Sequence, residues 1–73
     1  MHSSRYRVKL AYREPGYAEV RGIEERAYVG AFEVSASDPD EAVAVAVRLF
    51  HEAQRVSGVS WAREILAAHW SPL

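Results

Sequence analysis

The chain has 73 residues, no cysteine, 49% hydrophobic residues and a formal net charge of −1. A single domain over residues 1–73 of this size buries only ~60% of the surface its unfolded form exposes, so its stability is marginal without a supplement. Disulfides and thiolate zinc sites are excluded, and bulk attraction to nucleic acid or an anionic membrane is disfavoured, which leaves oligomerisation as the expected supplement.

Met1–Ser4 has no apolar core and reads as a flexible tail, not a signal peptide. The longest apolar run, Ala42–Val47, is far too short to span a bilayer. A soluble, cytoplasmic protein without membrane partner or cofactor is the expectation.

The first element is a strand. Tyr6, Val8, Leu10 and Tyr12 alternate with Arg7, Lys9, Ala11 and Arg13, the pattern of a half-buried strand with one apolar and one cationic face. Pro15-Gly16 ends it as a turn. Residues 16–25 are ambiguous: Tyr17–Arg21 can extend a hairpin, whereas Gly22 and Glu24-Glu25 look like loop. A second strand follows over about Arg26–Ala36, with Tyr28, Phe32 and Val34 on one face and Val29 and Ala31 on the other. Gly30 within it points to a bulge or a close backbone approach.

Ser37–Glu41 then carries the signals that start a helix. Asp38 is placed to cap it, Pro39 fits the first helical position, and Glu41 can close a capping box. Acids at 38, 40 and 41 also oppose the positive end of the helix dipole. Ala42, Val43, Ala46, Leu49, Phe50 and Ala53 form the apolar stripe, with Arg48, His51, Glu52 and Arg55 opposite. Gly58 after Ser57 is the expected terminator. Val59–Leu73 admits two readings. As a helix capped by Ser60, it aligns Trp61, Ile65, Leu66 and His69; as a strand, Trp61, Ile65 and Ala67 oppose Glu64 and Leu66. The strand is favoured on geometry, because a helix of ~19 residues spans the length of ~8 strand residues and returns the chain along the sheet.

The order is then ββαβ, an α+β fold. A third strand beside the first gives a three-stranded antiparallel sheet of order 2-1-3, half-ferredoxin-like, with one helix covering one face. The bare face would carry Arg7, Lys9, Arg13, Val29, Ala31 and Leu66, a partly apolar surface that wants a partner.

Arg5, Arg7, Lys9 and Arg13 are the sharpest functional candidates. At ~6.6 Å along one strand face they approach the spacing of phosphates in an extended single strand. Against a polyanion site, the tyrosines of that strand alternate away from the cations and residues 14–41 hold eight acids. A solvated or salt-bridged sheet face is the competing reading. Asp38, Asp40 and Glu41 are accounted for by capping, without a calcium-loop spacing. His51, Glu52 and His69 lack a nucleophile or metal to serve. No phosphate-binding glycine loop is present, so nothing argues for an enzyme. Trp61 is expected at the core edge. Trp70, with Val29, Ala31 and Leu66, is a candidate interface residue.

The stretch from Tyr28 to Phe50 runs strand, Ser37-Asp38-Pro39-Asp40-Glu41-Ala42, then an Ala/Val-rich helix. It loosely resembles small single-helix α+β modules such as the HicB-like antitoxins. It lacks that family's Pro-Gly-containing segment between strand and helix, and no functional residue carries over. The expected function is a non-enzymatic binding or self-association module, a homodimer using the uncovered sheet face. The alternative is a nucleic-acid-binding or antitoxin-like regulatory protein using the basic first strand.

Overall fold

A computed structural model describes residues 3–24, 26–58 and 62–73. The elements run β1 (Ser4–Arg13), α1 (Pro15–Arg21), β2 (Ala27–Ala36), α2 (Pro39–Ser57) and β3 (Glu64–Pro72). The strands form a three-stranded sheet of order β2-β1-β3, and both β2 and β3 pair antiparallel to β1. The 2-1-3 antiparallel sheet, the helix α2 and the strand reading of the tail hold, but a second helix, α1, interrupts the expected ββαβ order between β1 and β2. Ser4, expected in the tail, begins β1 opposite Ala36.

Alternation along β1 decides the two faces. Tyr6, Val8 and Leu10 are buried beneath α2, while Arg5, Arg7 and Lys9 point the other way and are exposed. β2 adds Val34 and Ala36 to the core, and α2 supplies Ala42, Ala46 and Phe50. Alanines at 42 and 46 let the helix approach closely; Phe50 then fills the space at the far end, its ring 4.9 Å from that of Tyr12.

The start of α2 is built as its residues require. Asp38 Oδ1 accepts from the Glu41 backbone N–H at 2.8 Å. The Glu41 carboxylate reaches back one residue further than a standard capping box, accepting from the Ser37 hydroxyl at 2.7 Å and its N–H at 3.4 Å. Gly58 ends the helix in the left-handed region at φ 72°. Two expected core positions differ. Leu49 and Ala53 are exposed, while Val43 packs against the core as expected and Val45 and Val47 join it. The reason is reach: Phe50 already lies over Tyr12 near the end of β1, so the last turns of α2 overhang the sheet.

The ambiguous segment after β1 is helical. Pro15 takes the first position of α1, and Gly22 at φ 66° closes it, with the Ile23 N–H donating to the Ala18 carbonyl at 3.1 Å. Gly30 makes no bulge; it lies in register opposite Leu10. The irregularity is in β3, where Ala11 faces Ala67 but Tyr12 faces Ile65, so Leu66 is the extra residue. Ile65 and Ala67 therefore lie on opposite faces, not the same one. Trp61, expected at the core edge, lies outside the described residues.

Candidate functional site

The uncovered face of the sheet assembles from the cationic side of β1 and its neighbours. Across the strands the rows read Arg5 with Ser35, Ser71-Arg7-Glu33, His69-Lys9-Ala31, Ala67-Ala11-Val29 and Glu64-Arg13-Ala27. Ala11, Ala31, Ala67 and Val29 thus make a small apolar patch toward the middle. Val29 is 65% exposed there. Ion pairs stand to either side of the patch: Arg7 with Glu33 at 3.3 Å and Arg13 with Glu64 at 2.6 Å. Both pairs are well exposed, so each contributes at most ~1 kcal/mol.

The candidate cations are therefore brought onto one face, but they are not equivalent. Glu33 and Glu64 neutralise Arg7 and Arg13. Arg5 and Lys9 have no acidic partner among the described residues. Of the candidate interface residues, Val29 and Ala31 sit on this face, and Leu66 is the exposed bulge residue. Trp70 does not join them. It lies opposite Val8, on the helix side, with its ring edge-on to Tyr6 at 5.8 Å. It is half exposed there because α2 sits mainly over β2 and β1.

A second cluster was not legible in the sequence. Arg63 Nε donates to Glu14 Oε2 at 3.0 Å, with side-chain exposures of only 20% and 12%. The same guanidinium stands 5.7 Å from the centre of the Tyr12 ring and 6.0 Å from that of Phe50. It ties the entry of α1 to the entry of β3 over the end of the core. Only the approach of residues 14 and 63, far apart in the chain, reveals this; neither has a local motif.

Elsewhere, Arg48, His51, Glu52 and Arg55 line an open depression of about 260 Å³ on the solvent side of α2. Its walls are exposed, flexible side chains, without an adjacent nucleophile. Among the described residues no three His, Asp or Glu side chains come together as a metal site requires. No helix among them is long and apolar enough to cross a membrane. Comparison with protein-family models, curated proteins and solved structures returns no match.

Proposed function

We propose that this protein is a small non-enzymatic binding module that works as a homodimer through its uncovered sheet face. The observation that carries this is surplus surface. The chain exposes 5218 Å², whereas a compact monomer of 8.2 kDa exposes about 4,500 Å². The excess approaches the ~800 Å² that each partner buries in a standard interface. Its radius of gyration is 13.8 Å against about 11 Å for a compact chain of this length. The fully buried core is correspondingly thin, with Val8 and Leu10 its largest side chains.

The face has the layout of an interface, with apolar residues inside and charges around them. It carries both signs, so a second copy laid face to face is not repelled as it would be by a purely cationic surface. Charge also sets the reading apart from its rival. A nucleic-acid surface would have to work with Arg5 and Lys9, because Arg7 and Arg13 are already neutralised in place.

Light scattering on a gel-filtration column tests the proposal. A mass of at least twice the monomer is expected at micromolar concentration, and Ala11→Lys, which puts a charge in the apolar patch of the central strand, is expected to weaken face-to-face association at least tenfold. A clean monomer, or a dimer indifferent to Ala11→Lys, overturns it.

A further inference from the structure

We propose that β2 also pairs edge to edge with β2 of a second copy, antiparallel about a twofold axis at Ala31, joining two three-stranded sheets into one of six strands. The argument starts from one hydrogen bond. The Leu73 N–H donates to the Arg5 carbonyl at 2.9 Å, so the backbone groups of Arg5 face β3. Successive residues of a strand face opposite ways. Tyr6, Val8, Leu10 and Tyr12 must then direct their N–H and C=O groups to β2. Their partners Val34, Phe32, Gly30 and Tyr28 face inward in return. Ala27, Val29, Ala31, Glu33 and Ser35 are left with backbone donors and acceptors pointing off the sheet.

The two edges of this sheet are not alike. On β3, Pro72 lies opposite Tyr6, so its missing N–H falls on the outer side, and Leu66 bulges. Both are devices that blunt an edge against pairing. β2 has neither. Its sequence AYVGAFEVSA contains no proline or lysine, and its only charge, Glu33, is bonded to Arg7 at 3.3 Å. A long, unblunted strand edge is a template for another strand.

The occupant that fits is β2 itself. With Ala31 opposite Ala31, Val29 meets Glu33 and Ala27 meets Ser35, so every outward group from Ala27 to Ser35 finds a partner. No other symmetric register pairs them all. The two Glu33 carboxylates then stand four residues apart along the strand, ~13 Å, each with its own arginine. On the helix side, Gly30 comes opposite Phe32 of the second copy. A side chain at Gly30 would already touch Phe32 and Tyr12 of its own chain at 3.5 and 3.8 Å. The glycine therefore leaves bare backbone between two rings, and an incoming Phe32 covers it, as aromatics do across from edge glycines. This contact uses backbone at an edge and leaves the cationic face free. It is independent of face-to-face association, and the two together make a tetramer.

Two measurements test it. The chain has no cysteine, so Ala31→Cys and Val29→Cys are single-thiol probes. At the twofold, paired Cα atoms stand ~5.5 Å apart, within disulfide reach, whereas two copies of position 29 stand ~13 Å apart. Face-stacked sheets lie ~10 Å apart, out of reach for both probes. Oxidation is expected to link Ala31→Cys into a dimer and leave Val29→Cys unlinked. In the unmodified protein, amide exchange at Val29, Ala31 and Glu33 is expected to be about 100-fold slower than for an unpaired edge. If the protein self-associates but Ala31→Cys does not link and these amides exchange freely, edge pairing is overturned and the face reading stands. Equal linking of both variants removes the twofold at Ala31. A monomer by light scattering overturns both.

Discussion

Replacing Arg63 with alanine removes a cation that the fold holds largely away from water. The bond to Glu14 at 3.0 Å is charge-assisted, in a site where both side chains are at least four-fifths covered. A hydrogen bond to a charged group contributes about 1.5–3 kcal/mol. The Tyr12 and Phe50 rings, at 5.7 and 6.0 Å, add about 0.5–1 kcal/mol each at such distances. The Glu14 carboxylate would also lose a partner in a half-dry position. Together the expected loss is about 2.5–5 kcal/mol, a fall in Tm of roughly 10–40 °C for a chain of this length at fixed protein concentration. The control is Arg55→Ala, whose pair with Glu52 spans 4.0 Å on the exposed helix face; it is expected to shift Tm by only a degree or two. A double-mutant cycle with Glu14→Gln isolates the pair, with an expected coupling of about 1–2 kcal/mol. If Arg63→Ala unfolds no earlier than Arg55→Ala, the cluster holds nothing together and the reasoning from burial fails.

Two further outcomes are open to measurement. Asp38→Ala removes the acceptor for the Glu41 N–H at 2.8 Å and is expected to cost about 1 kcal/mol by denaturant titration; Asp38→Asn, which keeps an acceptor oxygen, is expected to recover most of that, and equal losses from the two variants would exclude capping as the cause. For nucleic acid, Arg5 and Lys9 are the β1 cations without an acidic partner among the described residues, so any binding of a single-stranded oligonucleotide through this face is expected to be weak, with log K falling against log salt at a slope of about −1.4. A slope near about −3 would mean that all four cations of β1 reach phosphates and would reinstate the polyanion reading.

The sequence by itself determined the elements whose signals are local. Strict alternation from Tyr6 to Arg13 made β1 and its two faces, because a residue's side in a strand depends only on its parity. Asp38, Pro39 and Gly58 bounded α2, because caps act on backbone groups within a few residues. The strand reading of the tail came from helix length; whether that strand lies beside the first or the second was open in the sequence, and its pairing with β1 decides the 2-1-3 order. Tertiary structure decided the rest. The segment Pro15–Arg21 carried a proline and a following glycine that suit a turn as well as a short helix, and the burial of Ala18 goes with the helix. The bulge at Leu66 inverted the faces of Ile65 and Ala67, and Trp70 turned toward Tyr6 and away from the bare face, because register is set by pairing with β1 and not by the tail's own pattern. Arg63 and Glu14 meet across the fold. Which cations of β1 are neutralised, and which strand edge is left unblunted, are likewise properties of neighbours in space, and a linear pattern holds no record of them.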